Sequence, residues 1–159
     1  MTTSALTWDD LGVDDLDVRT LYDVLALRSA VFVVEQECAY QDVDGLDLVD
    51  GTRHLLGRRG PQPLAAYARI LAPSEDHPTP RIGRVIVSPH ARGEQLGRAL
   101  MLRTLGACES RWPGEAVELG GQAHLTDFYA SLGFTAVGAP YVEDGLPHQW
   151  MRRAPEPRA

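Results

Sequence analysis

The sequence contains few long hydrophobic runs, little cysteine and no excess of basic charge. The longest uninterrupted apolar run, around Ala30, has five residues, far below the roughly 18 that a membrane-spanning helix needs. The first ten residues, MTTSALTWDD, lack the basic segment followed by an apolar one that is typical of a signal peptide. We therefore expect a cytoplasmic protein that makes no membrane contact.

The two cysteines, Cys38 and Cys108, lie in unlike sequence contexts. One disulfide and two free thiols both fit this count, and in a cytosolic protein two buried thiols are the more common arrangement. The histidines lack the short spacings of a metal site, and two cysteines do not complete one. The sequence predicts no bound metal.

The charge balance is acidic, with a formal net charge of −7. This argues against a nucleic-acid-binding surface, which needs a basic stripe. Acidic residues concentrate in segments 9–17 and 35–50. They fit solvated helix ends and loops, but if either segment borders a site, we expect a cationic partner.

The length of 159 residues favours one domain, which we place at 1–153, with a disordered tail at 154–159. Hydrophobic periodicity and turn residues predict an α/β (α+β) fold of three layers, a mixed sheet with helices on both faces. The expected strands are 5–8, 54–59, 64–71, 81–87, 116–119, 134–137 and 148–151, and the expected helices 14–36, 93–112 and 123–132.

Segment 84–100, RVIVSPHARGEQLGRAL, is the most informative part of the chain. It reads as an apolar strand, a turn, and a basic helix start spaced by glycines. The first N–H groups of a helix have no internal partner and the helix dipole adds positive charge, so such a start binds anions. Gly93 and Gly97 allow a phosphate group close to the backbone. The same pattern also fits an ordinary strand-to-helix connection.

Two segments together go beyond this general physics. Segment 84–100 resembles the acyl-CoA-binding motif of the GCN5-related N-acetyltransferase (GNAT) superfamily, Q/R-x-x-G-x-G/A after an apolar strand. Residues 120–134, GGQAHLTDFYASLGF, resemble the next motif, Asn…Phe-Tyr-x-x-x-Gly-Phe. The segments LRSAVFVVEQ and VEDGLPHQWMRR are similar to the ElaA-type branch of the superfamily. The resemblance covers nearly all of residues 4–153.

The resemblance implies a mostly antiparallel sheet of six to seven strands, splayed between the fourth and fifth. It also implies acetyl-CoA as co-substrate, with its pantetheine arm paired along the strand before the motif and its pyrophosphate on the amides of 93–98. The residues expected to contact CoA are Val85, Ile86, Val87, Arg92, Gly93, Glu94, Gln95, Leu96, Gly97, Arg98, Gln122 and Tyr129.

Three of these positions carry specific expectations. Gln95 stands where the family has glycine, so it must either avoid a positive φ or carry some strain. Tyr129 occupies the family's tyrosine position, where its phenol, with a pKa near the usual ~10, would protonate the departing thiolate; its helical stripe also fits a core aromatic. Gln122 replaces the family's asparagine and fits either an amide bridge near the cofactor or a simple helix-entry residue.

The activity implied is transfer of an acetyl (acyl) group to a primary amine, by direct attack in a ternary complex. The alternative is an acyl-CoA-binding regulatory module with little or no turnover. A dinucleotide-binding domain does not fit, because RGEQLG is not G-x-G-x-x-G. Relatives often carry a catalytic glutamate at the position of Val117, and Glu118 should face the other side of its strand.

The general base therefore stays open among His124, Glu35, Glu143, Asp144 and His148, or a water relay. Segments 35–50 and 138–147 are expected to flank the acceptor pocket. Their carboxylates, which include Asp42 and Asp44, favour a cationic small-molecule or peptide amine, with Glu35, Glu143, Asp144 and His124 as the candidate substrate-binding residues. Dimers are frequent in the superfamily, so a homodimer is a further expectation.

Overall fold

One mixed sheet organises residues 6–155, the part of the chain that the computed structural model describes. In these residues the sheet has eight strands in the order β1-β2-β3-β4-β5-β8-β6, with β7 paired to β8. The strands are β1 Thr7–Gly12, β2 Arg53–Arg58, β3 Ala66–Leu71, β4 Arg81–Val87, β5 Val117–Gln122, β6 Phe134–Ala136, β7 Tyr141–Glu143 and β8 Leu146–Arg153. All neighbouring pairs are antiparallel except β4–β5.

Helices cover both faces of the sheet, as the sequence predicts. The helices are α1 Val18–Arg28, α2 Leu96–Arg111 and α3 Thr126–Ala130. Because side chains alternate along a strand, Leu56 and Tyr67 pack with Val24 of α1 on one face. Leu55 and Ala68 pack with α2 and α3 on the other face.

The predicted helix 14–36 is divided in the structure. Asp17 accepts a hydrogen bond from the Thr20 N–H at 2.7 Å and caps the start of α1. A short 3₁₀ turn, Val13–Asp15, precedes this cap, and a π-helical segment, Ser29–Glu35, follows α1. The predicted helix 93–112 begins three residues later, at Leu96, because Gly93 and Gln95 have φ values of +89° and +57° that a helix does not allow.

Strands β4 and β5 separate soon after they meet. Their registered pairs are Arg81 with Glu118 and Ile82 with Leu119, and none follows in the described residues. A bulge interrupts the β3–β4 ladder beyond this point, where Arg84 has a φ of 53°. The expected splay between the fourth and fifth strands is confirmed, and it opens a cleft in the middle of the sheet.

The expected count of six to seven strands is wrong by one strand. Segment 138–147 was expected to be a loop, but it contains β7, which forms a hairpin with β8 around a two-residue turn. Asp144 and Gly145 have φ values of 50° and 79°, and a two-residue type I′ hairpin turn requires a positive φ at both of its central residues. A strand of three residues is too short to give a clear periodic signal. The start of the expected strand 5–8, at Ala5, and tail residues 156–159 lie outside the described residues.

Candidate functional site

A cavity of about 810 Å³ occupies the opening between β4 and β5. Its walls come from β4, the segment after α1, the end of β5, α3 and the β7–β8 turn. Of the residues expected at the site, it is lined by Val85, Ile86, Val87, Arg92, Gly97, Gln122, Tyr129, Glu35, His124, Glu143 and Asp144. The structure thus brings residues from five separate segments to one cavity.

The remaining residues expected to bind CoA lie beside this cavity and do not line it; they are Gly93, Glu94, Gln95, Leu96 and Arg98. Leu96 is buried in a small apolar cluster with Ala65 and Ala91. Both carboxylate oxygens of Glu94 accept hydrogen bonds from Arg59, each 2.8 Å long. This pairing neutralises the one acidic side chain of the loop 92–95.

Arg92 lies across the end of β4. Its Nη2 atom is 2.8 Å from Glu35 Oε1, and its Nε donates a 3.2 Å hydrogen bond to the carbonyl of Val87. Glu35 is therefore an ion-pair partner of Arg92 and not a free carboxylate. Gln95 takes the left-handed conformation, with φ 57° and ψ 28°. Of the two outcomes expected for this residue, a negative φ or backbone strain, the structure shows the second.

Tyr129 is packed tightly between aromatic and backbone groups. It is 5% exposed, and its ring centroid lies 5.2 Å from that of Phe128 and 6.0 Å from that of Phe134. A Cβ on Gly121 would lie 2.8 Å from Tyr129 Cε2, so glycine is needed for this contact. Burial raises the pKa of Tyr129 to about 12, which corrects the expected value near 10. The phenol stays protonated at neutral pH.

Gln122 bridges two walls of the cavity. Its Nε2 donates a 3.1 Å hydrogen bond to Oε1 of Gln36, which follows the π-helical segment. The side chain thus links the end of β5 to the α1 side of the cleft, while its backbone leads into the 3₁₀ turn Ala123–Leu125. Both interpretations of this residue, an amide bridge and a helix-entry position, fit this placement.

Val117, at the position where relatives carry a catalytic glutamate, cannot act as a general base. Val117 is buried in the main core beneath α2. Glu118 faces the opposite way, as expected, and accepts a 3.0 Å hydrogen bond from the Trp150 indole. Neither residue lines the cavity. His124 and His148 do line it.

A buried ionic cluster that was not expected from the sequence is formed by Arg28, Arg69 and Arg84 with Asp42, Asp44 and Asp47. Arg28 is 0% exposed. Its Nε lies 2.8 Å from Asp42 Oδ2, and its Nη1 hydrogen-bonds to Asp47 Oδ1. The acidic segment 35–50 is therefore largely neutralised internally and is not a solvated negative surface.

The pKa values of this cluster follow from its pairing. Burial alone would raise the pKa of Asp44, but hydrogen bonds from Arg69 and from the Leu46 N–H outweigh it and lower the pKa to about 2. Burial likewise opposes a lowered pKa at Asp47, where the hydrogen bond and charge of Arg28 prevail. Both carboxylates are ionised at neutral pH. A detectable signal was present in the sequence, because Arg28 lies on the apolar stripe of α1, four residues after Val24.

His54 on β2 connects the ionic cluster to Tyr67. Its Nε2 lies 3.0 Å from the carbonyl of Asp47, and its Nδ1 lies 2.7 Å from the Tyr67 hydroxyl. Because a carbonyl can only accept, Nε2 carries the hydrogen and Nδ1 accepts from Tyr67. Burial lowers the pKa of His54, so the ring is neutral and fully bonded.

The cysteines, the possible metal ligands and the helix lengths were compared across residues 6–155. Cys38 and Cys108 are free thiols, and Cys38 donates from Sγ to the Asp144 carbonyl at 3.1 Å. Within this range no three His, Cys, Asp or Glu side chains are grouped so that they could hold a metal ion. No helix in the same range has the length and apolar character to cross a membrane.

Comparison with known proteins gives consistent matches. The model of the acetyltransferase (GNAT) domain family matches residues 26–154. Protein ElaA of Escherichia coli K12 is 51% identical over 148 residues, which are 93% of this chain and 96% of ElaA.

Solved structures agree with these matches. The crystal structure of Escherichia coli ElaA superposes with a TM-score of 0.87 at 52% identity, covering 93% of this chain and 99% of that one. An acyl-CoA N-acyltransferase from Pseudomonas aeruginosa superposes with a TM-score of 0.91 at 49% identity, covering 94% and 100%. The chain therefore belongs to the GNAT acetyltransferase superfamily, in its ElaA-type branch.

Proposed function

We propose that the protein is an acyl-CoA-dependent N-acyltransferase that moves acetyl from acetyl-CoA to a primary amine. The observation that carries the proposal is the cavity between β4 and β5, which joins an open strand edge, a helix start and a protonated tyrosine. The Pseudomonas aeruginosa relative, named an acyl-CoA N-acyltransferase, supports the same chemistry at 49% identity.

The thioester substrate would bind across the start of α2. Beyond Ile82 the edge of β4 that faces β5 has no strand partner in the described residues, so the amide-bearing pantetheine arm can pair there as an added strand. Helix α2 has 16 residues and begins at Leu96. The N–H groups of its first turn and of the preceding residues 93–95 would offer a pyrophosphate donors and a favourable dipole. The Arg59–Glu94 pair removes the repulsion that a free Glu94 would exert on that anion.

Acyl transfer would proceed by direct attack in a ternary complex. The amine must lose a proton, because an ammonium has no lone pair. Its nitrogen attacks the thioester carbonyl, whose oxygen is polarised by a backbone N–H near Val87. The C–S bond breaks and the departing sulfur takes the proton of Tyr129, which burial keeps protonated. Alignment of the two reactants in one cleft supplies a further share of the rate.

The acceptor would be cationic and would enter near the β7–β8 turn. Asp42 and Asp44 are paired with arginines, and Glu35 is paired with Arg92. Glu143 and Asp144 line the cavity without an arginine partner in the described residues. These two carboxylates are therefore the best candidates to hold a second positive charge on the amine.

Thiol release with acetyl-CoA and a panel of primary amines tests the proposal. We expect turnover with at least one amine, and a fall of about 10²–10⁴-fold in kcat for Tyr129→Phe. Tyr22→Phe, which removes the same hydroxyl from an exposed position on α1, should leave the rate unchanged. Calorimetry with CoA gives the other outcome: tight CoA binding without thiol release across the panel would favour an acyl-CoA-binding regulatory module.

A further inference from the structure

We propose that His148 is the general base that accepts the proton of the acceptor amine, an assignment that rests on the acyltransferase function proposed above. His148 lies on β8, directly opposite Gln122 at the end of β5. It lines the cavity, and its side chain is mostly buried. Three features of the structure support the assignment: the tautomer of the ring, its position relative to Tyr129, and the engagement of the other candidates.

The ring of His148 presents a free lone pair. Its Nδ1 atom lies 2.8 Å from the carbonyl oxygen of Leu146. Because a carbonyl only accepts hydrogen bonds, Nδ1 carries the hydrogen in the neutral ring, and Nε2 keeps its lone pair. The nearest carboxylate oxygen, Oε2 of Glu143, is 3.7 Å from Nε2, too far to occupy it by a hydrogen bond.

His148 and Tyr129 approach the cleft from opposite faces of the sheet. A Cβ on Gly121 would meet the Tyr129 ring, whereas a Cβ on Gly120 would lie 2.6 Å from the Tyr141 hydroxyl. The Tyr141 ring stacks on His148, with centroids 5.7 Å apart and an interplanar angle of 26°. Since successive residues of a strand face opposite sides, His148 shares the Tyr141 face. An amine that enters on this face meets the thioester on the side away from Tyr129, so acid and base do not compete for space.

The other candidates are less suited to this task. Glu35 is 2.8 Å from Arg92, so its carboxylate is already engaged in an ion pair. Glu143 is 59% exposed at the side chain, against 13% for His148, so it is held less firmly against the cavity wall. Asp144 occupies the tight β7–β8 turn, with a φ of 50°. His124 belongs to the 3₁₀ turn after β5, and within residues 6–155 no hydrogen bond to its ring fixes a tautomer.

The proposed reaction transfers two protons from the ammonium nitrogen and one from Tyr129. Nε2 of His148 takes one proton from the ammonium group, and the freed lone pair forms the C–N bond to the thioester carbon. The C–S bond then breaks, and the sulfur leaves with the bonding electrons and takes the Tyr129 proton. The second proton, lost from the nitrogen as the amide forms, returns to Tyr129 through water. The proton on His148 leaves to solvent. The products are the amide, free CoA thiol and one proton.

The experiment compares two amines with the wild type and His148→Gln. One acceptor is an alkylamine, protonated at neutral pH, and the other is an alkoxyamine, which is neutral at that pH and loses its proton easily after attack. For the alkylamine we expect His148→Gln to lower kcat/KM by about 10²–10⁴-fold. For the alkoxyamine we expect a loss of less than about tenfold. Free imidazole should restore part of the alkylamine activity of His148→Ala, which a structural role would not allow.

Controls separate folding from chemistry. His77→Gln, in the exposed segment 74–78, should keep full activity, and CoA affinity should be unchanged in both His148 variants. If one His148 variant fails to bind CoA, the other serves for the comparison. Equal losses for both amines, or no loss, would overturn the assignment of His148 while leaving the acyltransferase function in place. A wild-type protein inert towards every amine would overturn both.

Discussion

Replacement of Arg28 by methionine should destabilise the protein strongly and in a pH-dependent way. Arg28 is fully buried and neutralises both Asp42 and Asp47. Methionine lacks the charge, so each of these buried carboxylates loses one of its two arginine partners; Asp42 keeps Arg84 and Asp47 keeps Arg69. Loss of one member of a buried ion pair typically costs about 3–5 kcal/mol. Because one guanidinium serves two carboxylates, but Arg69 and Arg84 remain paired with them, we expect a loss within that range.

This loss would be large against the total stability. Domains of this kind unfold with a free energy of about 5–15 kcal/mol, and each kcal/mol shifts Tm by about 2–4 °C at this size. We therefore expect Tm to fall by roughly 6–20 °C, measured by circular dichroism or calorimetry. Arg111→Met is the matched control, because Arg111 is 40% exposed and pairs with Asp10 at 3.3 Å. It should cost less than about 1 kcal/mol.

The pH dependence distinguishes the charge effect from lost packing. In the wild type the pKa of Asp47 is lowered, because the interaction with Arg28 outweighs the opposing effect of burial. Its stabilisation is therefore present above the unfolded value of 3.8 and is lost as the pH falls below it. Without Arg28 the pKa of that carboxyl is lowered less, because Arg69 alone then opposes burial. The variant should therefore lose less stability than the wild type as the pH falls below 3.8. A difference in unfolding free energy that stays constant between pH 7 and pH 3 would refute this reasoning.

Two further predictions concern the cleft. Gly121→Ala would place a methyl group 2.8 Å from the Tyr129 ring, so we expect the free energy of urea unfolding to fall by about 1–3 kcal/mol and kcat to fall as well. Gly106→Ala in α2 is the control, because a methyl group there meets no atom within 4 Å and should not destabilise the protein. Equal behaviour of the two variants would contradict the packing argument. Glu143→Gln combined with Asp144→Asn should raise the KM for an amine that carries a second positive charge, and should change the KM little for an amine whose chain is otherwise neutral, as measured by thiol release. An unchanged KM for the doubly charged amine would show that the two carboxylates do not recognise the acceptor.

The parts of the fold that the sequence predicts are those with local signals. The run Val85-Ile86-Val87 and the apolar spacing of α2 depend on neighbours in sequence, so strand and helix follow from periodicity. Tyr129 and Arg92 were expected at the site because ordered motifs contain them, and the structure brings both to one cavity.

The ionic cluster could not be predicted in the same way. Its partners come from α1, β3, β4 and the segment 35–50, and pairing of this range depends on the tertiary fold. Runs of acidic residues are in most cases solvated, so the burial of Asp42 and Asp47 has no local signal. Strand β7 was missed for a related reason, because three residues acquire strand geometry only through pairing with β8.

The early separation of β4 and β5 has a consequence for the proposed acyl transfer. In the described residues two registered pairs join these strands, so the sheet consists of two halves with a short common seam. A pantetheine arm in the gap would act as a temporary strand that fastens the halves together, and bound ligand would raise the melting temperature by mass action. Release of CoA must then undo those same backbone bonds. If the arm pairs along the whole free edge of β4, the breaking of these hydrogen bonds during CoA release, and not acyl transfer, would limit the rate of turnover.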